Sequence, residues 1–294
     1  MDLKIEGLSK TYPNGVRALD GVTMTIPCGM FVLLGPNGDG KSTLMRTIAT
    51  LQEADSGSIR LGDLDVLNQK QDVRRILGYL PQEFGVYPKT SAVAMLDHIA
   101  TLKGVTNRKE RHDLIEAMLH RVNLYQHKHK AISGFSGGMK QRFGIAQALL
   151  CDPKLVIVDE PTAGLDPGER NRFYNLLAEL GENIIVILST HIVQDVKELC
   201  TQMAIIHEGK LMFSGAPEAA EEELNGRIWE RSVEKQELAE FEQNHNVISK
   251  KLVAGRPVIH VLSDNQPAEG FVQVDPDLED VFFTKISKNE TLAV

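Results

Sequence analysis

The chain of 294 residues is long enough for one large domain or a domain with a smaller appendage, and its 42% hydrophobic residues allow a sizeable core. A net charge of −8 argues against non-specific nucleic-acid binding by the surface as a whole, so no nucleic-acid partner is expected. The three cysteines, Cys28, Cys151 and Cys200, form neither a disulfide framework nor a metal-ligand spacing, and they fit a reducing compartment.

The first residues lack a basic stretch followed by an apolar one, so we expect no signal peptide. Apolar runs such as 31–34 and 184–188 are too short to cross a bilayer, which needs about 20 residues. If this chain acts in a membrane process, it must therefore bind the transmembrane segments of other subunits.

The opening third of the chain alternates short apolar runs with Gly, Pro and Asn turns, a pattern typical of strands. The pattern predicts strands at Leu3–Leu8, Val22–Ile26, Phe31–Leu34 and Ser58–Leu61. A glycine-rich loop follows the third of these, and a helix is predicted from about Lys41 to Thr50.

Apolar residues then recur at helical spacing from about Thr90 to Leu124, and a further helix is predicted over Met139–Leu150. Continuous apolar runs return at Leu155–Val158, Ile184–Leu188 and Met203–His207. Because helices separate these runs, they predict a parallel sheet buried on both faces. We therefore predict an α/β fold with a mostly parallel core sheet, an antiparallel N-terminal β subdomain and a helical insert at about 85–150.

The sequence changes character after Pro217. An acidic helical stretch at 218–223 precedes apolar or alternating runs at 247–253, 258–262 and 271–274. We predict a first domain over residues 1–217 and a small α+β accessory domain over 218–294.

The strongest local motif matches G-x-x-x-x-G-K-[ST] between a strand and a helix. Glycines let the backbone N–H groups turn inward toward phosphate oxygens, and the following helix directs its positive end at the same anion. We predict that Lys41 reaches the β- and γ-phosphates of a nucleotide and that Ser42 binds Mg²⁺. An accidental glycine-rich turn is the alternative. The predicted nucleotide-binding residues here are Gly35, Pro36, Asn37, Gly38, Asp39, Gly40, Lys41, Ser42 and Thr43.

A pair of carboxylates follows the predicted strand Leu155–Val158. Ligands of α/β folds bind at the carboxyl ends of the strands, so this position favours a site over a solvated acidic pair. Asp159 is predicted to hold Mg²⁺, and Glu160 is predicted to polarise the attacking water as a general base.

The segment Phe135–Arg142 resembles the Leu-Ser-Gly-Gly-Gln signature of ABC ATPases, where Ser136, Gly137 and Gly138 form a second anion site at a helix start. A plain Ser/Gly helix cap is the alternative for this segment alone. Seven features nevertheless follow the family's order between Leu3 and Gly215. They are Tyr12, the phosphate loop, Gln82, the signature, Asp159-Glu160, Ala163-Gly164-Leu165-Asp166 and His191.

The resemblance to the ABC family implies ATP and Mg²⁺ as cofactors, with further roles for matching residues. Tyr12 would stack on the adenine, Gln82 would contact Mg²⁺ and the water, and His191 would contact the γ-phosphate.

The resemblance also implies an assembly of two copies. Asp166 belongs to a loop that crosses to a second copy of the chain. In the family, two cassettes enclose two ATP molecules head to tail, each phosphate loop being completed by the other copy's signature. The implied location is the cytoplasmic face of the cell membrane, beneath permease subunits.

Some positions depart from the family's usual pattern. Asp39 stands where a small uncharged residue is usual, and we expect its side chain to point to solvent at modest cost to ATP binding. Phe135 and Met139 replace the usual Leu and Gln of the signature.

The segment 277–283 is similar to tails of ABC-2 export cassettes, which favours export. A non-transport ABC protein acting on the ribosome or DNA is the alternative, although the chain has one cassette and no sustained heptads. A P-loop kinase or GTPase would lack the signature. The sequence does not identify the transported substrate.

Overall fold

A computed structural model describes residues 1–81, 89–160 and 167–290 of the chain. The described strands are β1 (Leu3–Thr11), β2 (Arg17–Ile26), β3 (Gly29–Leu34), β4 (Ser56–Leu61), β5 (Leu64–Asp65), β6 (Leu77–Leu80), β7 (Leu155–Asp159), β8 (Ile185–Thr190), β9 (Gln202–His207), β10 (Lys210–Gly215), β11 (Ile228–Ser232), β12 (Val247–Val253), β13 (Arg256–Leu262) and β14 (Val272–Gln273). The described helices are α1 (Lys41–Ile48), α2 (Lys70–Ile76), α3 (Ala92–Leu102), α4 (Arg108–Arg121), α5 (Gly137–Leu149), α6 (Pro167–Gly181), α7 (Val193–Leu199), α8 (Pro217–Glu222), α9 (Leu238–Asn244) and α10 (Leu278–Glu290).

The central sheet has the strand order β10-β9-β3-β8-β7-β6. The neighbours from β9 to β6 pair in parallel, and only β10 pairs antiparallel in this sheet as described. Every residue of β7 and β8 is buried, as expected for strands covered by helices on both faces. The predicted mostly parallel core sheet is confirmed, and its register places the carboxyl ends of β3, β7 and β8 side by side.

A second sheet, antiparallel and in the order β2-β1-β4-β5, packs on one side of the core. Alternating residues of β1 and β2 are buried, which gives the sheet one face toward the core and one toward solvent. This is the predicted antiparallel N-terminal subdomain.

The helical insert consists of α3, α4 and α5. Ser91 begins α3 by accepting a hydrogen bond from the Ala94 N–H, and Asn107 begins α4 by accepting from two N–H groups of its first turn. Leu96 and Leu119 pack into the large core at the helical spacing that the sequence predicts. Within the described ranges, none of the helices has the length and hydrophobicity needed to cross a bilayer.

The C-terminal part contains an antiparallel sheet in the order β12-β13-β11-β14, with a small core of its own around Ile259 and Phe271. It is the predicted α+β appendage, but β11, α9 and α10 were not predicted. Helix α10 packs against α7, α8, β9 and β10, so Val281 and Phe282 belong to the same hydrophobic core as Met203 of β9. The boundary at residue 217 stays a prediction.

A buried ion cluster joins α10 to the C-terminal sheet. His260 of β13 donates through Nδ1 to Asp280 Oδ1 over 2.7 Å, and its Nε2 lies 3.2 Å from Glu230 Oε2 of β11. Asp280 is fully buried and also accepts from the Asp277 N–H. The hydrogen bond to Asp280 is the main cause that raises the pKa of His260, against the opposing effect of burial.

We expect His260→Phe to lower the free energy of unfolding by about 3 kcal/mol, because it leaves the Asp280 carboxylate buried without its cationic partner. A raised His pKa in the folded state stabilises most below the unfolded value of 6.5, and this contribution is lost as the pH rises through the folded value. Urea unfolding of both proteins at pH 6 and pH 9 should therefore show the larger difference at pH 6.

The matched control is Lys250→Ala on the neighbouring strand, which removes an exposed ion pair with Glu242. Exposed pairs contribute about 0–1 kcal/mol, so this variant should differ little from the parent at either pH. An equal difference for His260→Phe at both pH values would contradict the charged role of His260.

Candidate functional site

A pocket of about 240 Å³ lies at the carboxyl end of the central sheet. It sits where the loop after β3 meets the end of β7, the position at which α/β folds bind ligands. Its lining comes from the predicted phosphate loop, the start of α1 and one carboxylate: Asn37, Gly38, Gly40, Lys41, Ser42, Thr43 and Glu160.

The loop can take this path only because of its glycines. Gly40 has φ 100°, and a Cβ there would lie 2.1 Å from the Ala18 carbonyl oxygen. A Cβ on Gly35 would lie 2.3 Å from the Ile206 carbonyl oxygen. Side chains at these positions would collide with backbone, so the sequence leaves a narrow cradle of main-chain groups beneath the pocket.

Lys41 begins α1 and lies almost fully buried beneath this loop. Its Nζ donates to the carbonyl oxygens of Gly35 at 2.7 Å and Pro36 at 2.8 Å, so the ammonium is fixed inside the loop. Burial lowers the pKa of Lys41, and the carboxylates of Glu160, Asp39 and Asp159 partly oppose that shift. An incoming anion would offset the cost of burying this charge.

Ser42, Asp159 and Ser189 form an oxygen cluster at the edge of the pocket. Asp159 Oδ1 lies 3.5 Å from Ser42 Oγ and accepts a hydrogen bond of 2.6 Å from Ser189 Oγ. Ser189 also accepts from the Glu160 N–H at 3.0 Å, so it orients both carboxylate residues. Ser189 was not predicted as a site residue. Its pairing with Asp159 across β7 and β8 is a property of the register and has no motif of its own.

Glu160 adopts a left-handed backbone conformation with φ 45°, which is uncommon for a residue with a side chain and occurs often at functional sites. Its Oε1 lies 3.5 Å from Nδ1 of His191, which follows β8 and is half exposed. The structure therefore brings the two predicted catalytic residues together beside the pocket. Gln82, the third, and Ala163–Asp166 lie outside the described residues.

Tyr12 lies beside the start of α1. Its hydroxyl is 3.0 Å from Thr43 Oγ1 and donates to Gln52 Oε1 over 3.0 Å. Tyr12 is partly exposed at the start of the loop after β1, close to the predicted nucleotide-binding residues. This contact between Tyr12 and Thr43 agrees with a position beside a nucleotide, while the stacking on adenine stays a prediction.

The signature segment lies at the start of α5. Ser136 accepts a hydrogen bond from the Met139 N–H over 3.2 Å and so caps the helix. Ser136 and Gly137 are exposed, and neither they nor Gly138 belong to the described lining of the pocket. Phe135 is buried with its ring edge-on to Phe143, which explains how an aromatic side chain fits this position.

Asp39 differs from the sequence expectation. Its carboxylate does not point to solvent: only 14% of the side chain is exposed, and Oδ2 accepts a hydrogen bond of 2.6 Å from Nδ1 of His207. His207 comes from the end of β9 and lies far from Asp39 in the sequence, so no local pattern could have indicated this contact.

The residues present fit a nucleoside triphosphate with Mg²⁺. The glycine cradle and a buried ammonium suit phosphate oxygens, and the oxygens of Ser42 and Asp159 suit a hard cation. No group of three His, Cys, Asp or Glu able to hold a metal occurs in the described part of the chain. Mg²⁺ needs only one or two carboxylates when phosphates complete its coordination, and Asp159 can supply one beside Ser42.

Comparisons with a family model, with curated proteins and with solved structures all find ATP-binding proteins of one kind. A family model described as "ABC transporter" matches residues 19–163. The uncharacterized ABC transporter ATP-binding protein YxlF of Bacillus subtilis is 37% identical over 232 residues, which cover 79% of this chain and 76% of YxlF. The phosphonates import ATP-binding protein PhnC of Chromohalobacter salexigens is 34% identical over 241 residues, covering 77% and 89%. A solved structure of an ATP-binding subunit of an ABC transporter superposes with a TM-score of 0.69 at 28% identity and covers 76% of this chain and 93% of that one.

Proposed function

We propose, because the chain belongs to the ABC transporter family of ATP-binding proteins, that it drives export of a substrate through separate membrane subunits. ATP hydrolysis and a role in transport follow from the family. The direction of transport, the residue roles, the partners and the location are the parts that we propose.

The proposed residue roles rest on one observation: the predicted site side chains come together at the carboxyl end of the central sheet. Lys41, Ser42 and Glu160 line one pocket, Asp159 lies 3.5 Å from Ser42, and His191 lies 3.5 Å from Glu160. The elements that supply them are far apart in sequence, so the parallel register alone brings these groups together. Such a convergence of a cation, oxygen ligands and a carboxylate base is what phosphoryl transfer to water requires.

In the proposed mechanism, the loop N–H groups and Lys41 bind the β- and γ-phosphates. Ser42 and Asp159 would hold Mg²⁺, which neutralises charge on the phosphates when bound. Glu160 accepts a proton from the attacking water, and Ser189 fixes Glu160 by accepting from its N–H. His191, 3.5 Å from Glu160, would contact the γ-phosphate. Gln82 keeps its proposed contact with the ion and the water.

The exposed start of α5 supports a site shared between two copies. Ser136 and Gly137 present backbone N–H groups at a helix N-terminus, a geometry suited to an anion, yet they lie outside the pocket of their own chain. A head-to-tail pair would bring this helix start over the partner's phosphate loop. We therefore propose an ATP-dependent homodimer with two shared sites.

The proposed location is the cytoplasmic face of the cell membrane, bound to permease subunits. Export is favoured by the resemblance of residues 277–283 to tails of export cassettes. PhnC, a relative, is named for import, so import by a similar assembly is the second candidate. Residues 1–217 would form the ATPase domain and 218–294 the accessory domain.

Co-purification tests the transport proposal. Tagged Glu160→Gln protein would be added with ATP to detergent-solubilised native membranes and lysate, and Lys41→Ala protein would serve as the matched control that does not close on ATP. We expect a polytopic membrane protein to be enriched by the first variant only. Ribosomal proteins or DNA in its place would favour a non-transport ABC ATPase.

A further inference from the structure

The phosphate loop carries a negative charge of its own, because Asp39 lies between Gly38 and Gly40 of the pocket lining. A carboxylate in this loop would repel the phosphates of a bound nucleotide. Its effect reaches the pocket, since the Asp39 charge is among those that act on the pKa of Lys41. ATP binding therefore depends on where the Asp39 carboxylate is held relative to the phosphates.

The Asp39 carboxylate is hydrogen-bonded to His207. The contact between His207 Nδ1 and Asp39 Oδ2 measures 2.6 Å, and each side chain is only 14% exposed. A short, shielded hydrogen bond to a carboxylate is among the stronger ones in proteins, because the acceptor is charged and little water competes. The carboxylate is thereby aimed at the β9–β10 hairpin.

The hairpin that carries His207 is itself fixed to the loop. The Gly209 N–H donates to the Asp39 carbonyl oxygen over 3.1 Å, and the Gly209 carbonyl accepts from the Asp20 N–H over 2.9 Å. Gly209 has φ 75°, and a Cβ there would lie 2.8 Å from the Ala18 carbonyl oxygen. These backbone contacts set the position of the imidazole before any nucleotide binds.

We propose that His207 is a positioning residue for the nucleotide site: it donates a hydrogen bond to the Asp39 carboxylate and holds it away from the phosphates. This inference rests on the proposed assignment of the loop as the ATP site. It assigns a function to the end of β9, a strand that contributes no residue to the described pocket lining. It also predicts that the two positions are coupled: His207 matters to ATP only while residue 39 is a carboxylate.

A double-mutant cycle on the full chain tests the coupling. The dissociation constants of Mg-ATP and Mg-ADP would be measured by displacement of a fluorescent nucleotide for His207→Ala, Asp39→Ser and the double variant. We expect His207→Ala to weaken Mg-ATP binding about tenfold, through repulsion by the released carboxylate, and Mg-ADP binding less, because ADP carries less charge. In the Asp39→Ser background the same change should alter either affinity by less than about twofold.

The cycle separates a charge effect from a scaffolding effect. If His207 only held the loop in shape, the double variant would bind ATP as weakly as His207→Ala, and this result would overturn the proposal. Unchanged ATP affinity in folded His207→Ala protein would also overturn it. If His207→Ala fails to fold, His207→Gln enters the same cycle; we expect a loss of about threefold that disappears with Asp39→Ser.

Two controls keep this inference distinct from the site assignment. His98→Ala removes an exposed histidine on α3 and should not change either dissociation constant. Lys41→Ala reports whether the assay measures the phosphate loop at all. Unchanged ATP affinity in Lys41→Ala would reject the site assignment, whereas a loss there with no coupling between Asp39 and His207 would reject only the positioning role.

Discussion

Glu160→Gln is expected to reduce the rate of ATP hydrolysis about 10²- to 10⁴-fold, the usual contribution of a general base. Glutamine has nearly the same shape but cannot take a proton from water at neutral pH. ATP binding should persist or tighten, because the change removes a negative charge from the lining of the phosphate pocket. Phosphate release and ATP dissociation constants, measured on the same preparation, check both halves of this prediction.

The retained ATP should also change the assembly of Glu160→Gln. If two copies share the sites, slow hydrolysis leaves ATP in place and the dimer accumulates, which light scattering would detect as a doubled mass with ATP but not with ADP. Glu182→Gln is the matched control, because this exposed glutamate lies before β8, at the opposite end of the sheet. Normal hydrolysis by folded Glu160→Gln protein would show that another group activates the water.

Local motifs predicted the parts of the site that are built from neighbouring residues. The hydrogen bonds of Lys41 to Gly35 and Pro36 and the cap at Ser136 are made within a few residues, so their sequence patterns are sufficient to indicate them. Glu160 and Asp159 were also predictable, since a buried strand that ends in two carboxylates must deliver them to the sheet edge.

Contacts made across the sheet could not be predicted in the same way. Ser189 gains its role only when β7 and β8 pair in the register that places it opposite Asp159. His207 reaches Asp39 because β9 pairs with β3, which leads into the loop. For Asp39, the path of the loop backbone suggested a side chain that points to solvent, and the partner that it contacts, His207, lies 168 residues away in the chain.

The unpredicted elements of the C-terminal part have a similar explanation. Only the first residue of β11 is fully buried, so the strand lacks the alternating apolar pattern that identifies a strand. Helix α10 begins among acidic residues. One of them, Asp280, is buried and is hydrogen-bonded to His260 of β13. Of the apolar run at 271–274, Val272–Gln273 form the short strand β14, while Phe271 fills the small core.

Lys41→Ala is expected to weaken ATP binding about 100-fold. A hydrogen bond to a charged group contributes about 1.5–3 kcal/mol, and each 1.4 kcal/mol corresponds to about tenfold in affinity. The loss falls on binding itself, because the ammonium would contact the phosphates before any bond is broken. Calorimetry with Mg-ATP measures it directly, and the change should be smaller for ADP, which lacks the γ-phosphate.

Because Lys41 is buried, replacing it can lower ATP affinity both by removing the phosphate contact and by changing the loop. Its Nζ also donates to Gly35 and Pro36, so part of any loss could come from a loop without those hydrogen bonds. Lys41→Met retains most of the apolar stem and should keep the melting temperature closer to that of the parent, while losing as much ATP affinity as Lys41→Ala. Lys4→Ala, which removes an exposed lysine of β1, should bind ATP normally. If Lys41→Met binds ATP as tightly as the parent, the ammonium does not bind the phosphates, and the assignment of this loop as the ATP site is rejected.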